Sequence, residues 1–322
     1  MPVIAAEQQV ILRAPIHVAV GVIRGPDNTV LVALRATESH QGGLWEFPGG
    51  KLESGESVNQ ALQRELEEEL GITVLAQSRL CQIAHDYGDK SVLLDVWSVD
   101  RFSGQPHGQQ GQPLRWIPIE QLQTEDFPIA NRAIIRRLQL PDMIAVTGDG
   151  EDAEAFFSRF EQVLAQGIGM VQLRAPALSE NDFRKRALRC SELCQVYNAR
   201  LLLNAEPELV AEVDAAGFHA SSHRLMALKQ RPVDQSSYFS ASCHNLAQLL
   251  HAEKLGADFV LISPVLATGS HPGAVPLGWK QFKELTAAVA VPCYALGGVS
   301  PLDVAVSKAN GGAGIAAISA FW

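Results

Sequence analysis

The sequence predicts a two-domain chain, α+β in its first part and α/β in its second, the second part being a (β/α)8 barrel. Three observations lead there. A length of 322 residues is long for one hydrophobic core and comfortable for two. From Met143 onward, short apolar runs alternate regularly with helical stretches, the signature of parallel strands joined by crossover helices. Residues 1–140 instead carry β-branched runs around one amphipathic helical stretch with acids along one side.

Residues 16–23 (IHVAVGVI) and 29–34 (TVLVAL) are β-branched runs parted by the turn-forming RGPDN of 24–28, so they read as paired strands. Arg35 and His40 follow in a polar loop, and WEFPGGK (45–51) opens a Gly-rich approach to the helix of 57–70, which Gly71 stops. Glu65, Glu68 and Glu69 stand at i, i+3 and i+4 and project from one side, while Leu62, Leu66 and Leu70 lie on the adjacent side. Like charges so placed repel by roughly 0.2–0.5 kcal/mol per pair, a conflict that a hard, oxygen-seeking cation such as Mg²⁺ removes. Ala61 is small enough to leave room beside them. The bland alternative is a solvated acidic face. Residues 91–99 and 114–118 read as further strands, and 127–138 as a closing helix entered through Pro128. Asn131 falls in its first turn, where its amide either offers donors and an acceptor to a purine edge or caps the helix.

A short linker near Pro141 leads to eight apolar runs: 143–147, 170–174, 200–204, 217–220, 238–242, 259–263, 293–296 and 315–319. Eight such runs favour a barrel of the TIM type, with a doubly wound open sheet as the alternative. Only Ala320, Phe321 and Trp322 follow the last run, so the barrel is expected to lack a full last helix. The apolar gap this leaves would be covered by the first domain or by a second chain in a homodimer. Gln172, Arg174, Asn204, His219, His244, Ser263 and Ser319 fall at strand ends, as the C-terminal face of a barrel would collect them. Gly297–Gly298 and the glycines of 311–314 suit backbone amides closing on a phosphate.

A net charge of −9 excludes the broad basic surface that a nucleic-acid polymer would need, and leaves room for a small anionic substrate met through a metal. No apolar run is long enough to cross a bilayer. Five cysteines and no secretory pattern over residues 1–9 fit a cytoplasmic protein, with Cys190 and Cys194 read as buried thiols rather than a redox or metal pair.

From Gly50 the chain reads Gly50, Glu56, Arg64-Glu65-Leu66, Glu68-Glu69 and Gly71-Ile72 at the spacing of the Nudix box, which it resembles at every fixed position. LRATESH (34–40), WEFPGGK (45–51) and DFPIAN (126–131) resemble the MutT-type branch. This resemblance implies an α/β/α sandwich and a Mg²⁺-dependent hydrolase, with Mn²⁺ as an alternative ion. It assigns the metal to Glu65, Glu68, Glu69 and the Gly49 carbonyl, and a bracing ion pair to Glu56 and Arg64. The base for the attacking water is Glu65 or another nearby carboxylate. Arg35, His40, Phe47 and Asn131 are implied to hold the nucleotide, with Asn131 reading oxidised guanine. The reaction implied is attack at the β phosphorus of a nucleoside triphosphate, giving the monophosphate and pyrophosphate. One departure stands out: Gln109 and Gln110 occupy a loop where relatives carry an acid, so that Glu125 or Asp126 substitutes or the rate is lower.

The second half resembles the thiamine-phosphate synthase and thiazole tautomerase superfamily through VQLR (171–174), SCHN (242–245), GADFVLISPV (256–265) with ATGSHP (267–272), and ALGGVS (295–300). It implies phosphate binding by Gln172, Arg174, Gly298 and Ser319. Yet Ala205 and His223-Arg224 stand where the synthase carries acids for Mg²⁺, Ala175-Pro176 where it carries a lysine, and Pro264 where the tautomerase has its histidine. The expectation is a phosphate-binding barrel with altered or lost catalysis; His219 and His244 are packed or catalytic. Two readings follow: hydrolysis of 8-oxo-dGTP in nucleotide-pool sanitation with the barrel as an appendage, or hydrolysis of a thiamine-related pyrophosphate with the barrel as a ligand-binding module or residual synthase.

Overall fold

The computed structural model describes residues 15–87, 90–148, 152–269, 273 and 275–322. The opening residues 1–9 and the 270–272 end of ATGSHP, both used above, lie outside the described residues. The chain divides into two compact units, Met1–Gln139 and Leu140–Trp322.

In the first unit the elements run β1 (Ile16–Ile23), β2 (Thr29–Leu34), β3 (Trp45–Glu46), β4 (Gly49–Lys51), α1 (Val58–Leu70), β5 (Thr73–Asp86), β6 (Ser91–Ser103), β7 (Leu114–Pro118) and α2 (Ile129–Leu138). They form a mixed sheet in the order β4-β1-β6-β5, with β1 and β6 parallel, and a smaller sheet in the order β3-β2-β7. Along β1, Val20 and Val22 pack with Ile134 and Ile135 of α2, while Ala19 and Ile23 pack with Leu62 and Leu66 of α1. Alternation along the strand thus puts one helix on each face, the sandwich the first unit was expected to form. Each buried leucine of α1 contributes roughly 1.5–3 kcal/mol.

The runs 16–23 and 29–34 are strands at the expected bounds, but they are not paired. β1 bonds to β4 and β6, and β2 to β3 and β7. Asp27 and Asn28, at φ 53° and 55°, turn the chain out of the first sheet, leaving a lone bridge between Arg24 and Val30. β5 was not foreseen; its register shifts and polar residues such as Gln77, Ser78 and Gln82 break the alternation that announces a strand. Ala61 is fully buried in the α1 core, one turn before Glu65.

The second unit alternates β8 (Met143–Val146), α3 (Ala153–Ala165), β9 (Met170–Leu173), α4 (Glu180–Val196), β10 (Arg200–Leu203), α5 (Leu209–Glu212), β11 (Gly217–Ala220), α6 (Ser222–Ala227), β12 (Tyr238–Cys243), α7 (Leu246–Lys254), β13 (Phe259–Ile262), α8 (Gly278–Ala287), β14 (Cys293–Leu296), α9 (Val304–Ala309) and β15 (Gly314–Ala317). The eight strands close in sequence order into a parallel barrel, which excludes the open doubly wound sheet. The inward residues Ile144, Val146, Met170, Leu202, Phe259 and Tyr294 form the inner core, and their outward neighbours pack against the helices. No helix follows β15 among the described residues. There the Trp322 ring lies 5.0 Å from that of Phe156 and 6.4 Å from that of Phe160, covering part of α3 from within the same unit. Gly311 and Gly312 precede β15 and Gly314 opens it, so they stand at the end of the barrel opposite Gly297–Gly298, which follow β14. They therefore do not share a phosphate site with Gly297–Gly298, contrary to the expectation from sequence.

Candidate active site

Four residues, 46–49, tie together the parts that the sequence singled out. Glu46 forms an ion pair with Arg35. The backbone N–H of Phe47 donates to Asn131 Oδ1 at 3.3 Å, and that of Gly49 donates to Glu69 Oε2 at 3.2 Å. Gly49 has φ 146°, and a Cβ there would lie 2.1 Å from the Ala19 carbonyl, so no other residue can make this close approach to β1. Around this segment opens a cleft of about 230 Å³ walled by Arg35, His40, Glu46, Phe47, Tyr87 and Asn131, with Val18, Val20, Val92 and Leu94 of the central sheet as its floor.

Arg35 closes its own loop. Its backbone N–H bonds to Leu44 and its carbonyl accepts from Gly43, while Nη2 donates to the His40 carbonyl at 2.9 Å. The His40 ring meets Tyr87 edge-on at 4.9 Å. Asn131 is buried in the first turn of α2, where Pro128 is the N-cap and the Asn131 backbone N–H donates to the Pro128 carbonyl at 2.8 Å, so its side chain does not cap the helix. Its carbonyl oxygen keeps one lone pair beyond the bond to Phe47, so the amide still presents an acceptor beside its N–H donors.

At the other end of the segment, Arg64 forks onto Glu56 at 2.9 and 3.0 Å and also donates to Glu65 at 2.9 Å, Glu68 at 3.3 Å and the Lys51 carbonyl. The Glu65 carboxylate lies over Gly50, where a Cβ would come within 2.1 Å of it. Glu68 is the outermost, its side chain 58% exposed. With Arg64 as the cation among them, the acids do not converge on one point, and no metal-holding group of three His, Cys, Asp or Glu side chains occurs among the described residues. The donor set nevertheless suits a hard divalent ion. Glu46 pairs with Arg35, and Glu56, Glu65 and Glu68 share Arg64, so acids outnumber the cations paired with them, and burial, with the charges of Glu46 and Glu65, pushes the Glu69 carboxyl up to about 7 despite its bond from Gly49. An added cation would relieve that excess.

The loop carrying the expected departure does something else. Gln109 Nε2 donates to the Glu67 carbonyl at 2.7 Å, its backbone N–H to that of Glu69, and Gln112 Nε2 to Glu69 as well. Gln109 therefore caps the end of α1. Glu125 is surface-exposed and bonded to Thr124, and neither it nor Asp126 lines the cleft.

In the barrel, inward residues turn polar toward the C-terminal strand ends. His219 is fully buried between Ser240 and Ser242, each 2.8 Å from a ring nitrogen, and burial holds its imidazole down at about 3. It is a neutral, packed histidine. Ser263, Thr268, Gly298 and Ser319 line a small cavity of about 40 Å³. Gln172 and Arg174 are not part of that lining; Gln172 is buried with an unpartnered Oε1, and the Arg174 backbone is bonded to Thr147. His244 Nδ1 lies 2.7 Å from the Ser263 carbonyl.

Known proteins match each unit separately. A NUDIX domain model matches residues 19–137, and a thiamine monophosphate synthase model matches residues 143–321, more than half of the chain. The 8-oxo-dGTP diphosphatase of Escherichia coli is 40% identical over 124 residues, 38% of this chain and 96% of that protein. A protein of Aquifex aeolicus designated thiamine-phosphate synthase 2 is 36% identical over 184 residues, 57% of this chain and 99% of that protein. The chain belongs to the Nudix family in its first unit and to the thiamine monophosphate synthase family in its second. A thiamine-phosphate synthase of Methanobrevibacter smithii is 29% identical over 156 residues, 48% of this chain and 75% of that protein.

Sequence reasoning missed Glu46 and Tyr87 in the Nudix cleft. Glu46 sits inside the quoted WEFPGGK, but only the β2–β3 pairing, Ala33 opposite Glu46, brings its carboxylate to Arg35. Tyr87 reaches the cleft from the end of the unforeseen β5.

Proposed function

We propose that residues 1–140 form a Mg²⁺-dependent nucleoside triphosphate diphosphatase that prefers 8-oxo-dGTP, and that residues 141–322 form a barrel that binds a thiamine-type phosphate. The observation that carries the first part is the 46–49 segment, whose bonds join Arg35, Asn131 and Glu69 into one unit. Family membership, and the diphosphatase named at 40% identity, support the same reading.

Glu65, Glu68, Glu69 and the Gly49 carbonyl would hold the ion, Mg²⁺ or Mn²⁺, which when bound offsets charge on the diphosphate. Arg64 and Glu56 brace the helix against the Gly-rich strand, and Glu65 or a neighbouring carboxylate takes the proton of the attacking water. Asn131 accounts for the base preference. Oxidation at C8 turns N7 of guanine from an acceptor into an N–H donor, so an amide with acceptor and donor side by side pairs with N7–H and O6 of the oxidised base. Against normal guanine its acceptor meets a lone pair. The five cysteines are buried thiols without disulfides, which suits a reducing cytoplasm, and no helix among the described residues is long and apolar enough to cross a membrane.

Turnover of 8-oxo-dGTP, dGTP and thiamine diphosphate by the whole chain tests the reading. Preference for 8-oxo-dGTP is expected, with Asn131→Ala reducing it about tenfold or more while slow hydrolysis of both nucleotides persists. Equal rates on the oxidised and normal nucleotides, or faster cleavage of thiamine diphosphate, would overturn it in favour of a thiamine-related substrate.

A further inference from the structure

We infer that the C-terminal face of the barrel takes no divalent cation, because Ala205 and Arg224 replace the acids that would hold it and the Arg224 guanidinium brings a fixed positive charge instead. The thiamine monophosphate synthase family implies Mg²⁺ held by acids after the third and fourth barrel strands, and this chain carries Ala205 in the loop after β10 and Arg224 in the first turn of α6, after β11. β10 and β11 are adjacent and parallel, with Leu203 opposite Phe218, so the loops after them lie side by side at the C-terminal face. Arg224 spans the gap. Nη1 donates to the Ala205 carbonyl and Nη2 to Glu206, and the guanidinium lies 5.9 Å from the Phe218 ring centroid.

A guanidinium stays charged at any working pH, and a fixed cation repels a second one brought into the same gap. Ala205 has no ligating side chain, and the neighbouring Glu206 carboxylate is already bonded to Arg224. The residues present do not fit a magnesium site. They do fit an anion: two N–H groups of five are used by Ala205 and Glu206, and the Arg224 side chain keeps 30% of its surface open. The ligand class is a diphosphate or phosphate ester met directly by the guanidinium. This last step rests on the barrel being a phosphate-binding unit.

The test uses the whole chain carrying Glu65→Gln, Glu68→Gln and Glu69→Gln, which removes the Nudix carboxylates. Electron paramagnetic resonance of added Mn²⁺ is expected to show no tightly held ion, and adding Ala205→Asp with Arg224→Asp is expected to create one site. Tight Mn²⁺ before that addition, or none after it, overturns the inference. Titration with inorganic pyrophosphate in EDTA is expected to show binding that Arg224→Gln weakens at least tenfold and that Glu206→Gln strengthens by releasing the guanidinium. Pyrophosphate binding that requires Mn²⁺, or that ignores both substitutions, also overturns it. No pyrophosphate binding at all, with the Mn²⁺ results as expected, removes the phosphate reading alone and leaves the absence of a barrel metal standing.

Discussion

Glu69 carries the most revealing charge in the Nudix unit. Burial, helped by Glu46 and Glu65, raises its carboxyl to about 7, above the ordinary carboxylate value. The sign of the consequence follows. In the metal-free protein this group favours the fold most in acid, and that contribution is lost as pH rises through about 7. Metal binding runs the other way, since the ion needs the anion and must displace the proton below that pH. The half-saturating Mg²⁺ concentration is expected to rise by up to about tenfold for each unit that pH drops below 7 and to be level above it. Glu46→Gln removes one negative neighbour and should move the levelling point toward acid; a titration by intrinsic fluorescence that is flat from about pH 5.5 to 7.5 would contradict this. Glu65, Glu68 and Glu69 were legible from spacing alone, because side chains at i, i+3 and i+4 of a helix must share a side. Glu46 was not, because its partner Arg35 is brought to it by a strand pairing rather than by local geometry.

At the scale of elements, α1 is held at both ends by devices of different range. Ser57 accepts from the Gln60 N–H and Gln60 accepts from the Ser57 N–H, a capping box written within four residues. The C-terminal end needs Gly71, at φ 67°, and then the 104–112 loop, whose Gln109 and Gln112 bond to the last carbonyls. A Cβ at Gly71 would lie 2.7 Å from the His107 ring. Gly71→Ala is therefore expected to cost about 1–2 kcal/mol from the left-handed backbone alone, and more if His107 cannot move. Urea denaturation followed by helical circular dichroism checks it, and an unchanged midpoint would refute the cap. Gln109 can make this cap because an amide donates to a helix carbonyl, which an ionised carboxylate cannot.

For the whole molecule, the hydrophobic clusters separate by unit, two drawn from residues up to Leu138 and two from residues from Leu140 onward. Two calorimetric transitions are expected. Because a ligand stabilises only what it binds, Mg²⁺ with a non-hydrolysable nucleoside triphosphate should raise one transition and leave the other in place. Glu68→Gln should abolish that shift, and a single transition or a shift of both would contradict the separation.

Local patterning in the sequence was enough for the strands of the barrel, since eight apolar runs spaced by helices have few other ways to bury themselves, and enough for the Nudix helix and its acids, since periodicity needs no partner. Tertiary structure alone decided that β1 and β2 belong to different sheets, that Glu46 and Tyr87 join the cleft, and that Arg224 bridges Ala205 and Glu206. Each of these depends on residues far apart in sequence meeting across a strand pairing or between neighbouring loops, and neither periodicity nor motif spacing encodes which distant groups will meet.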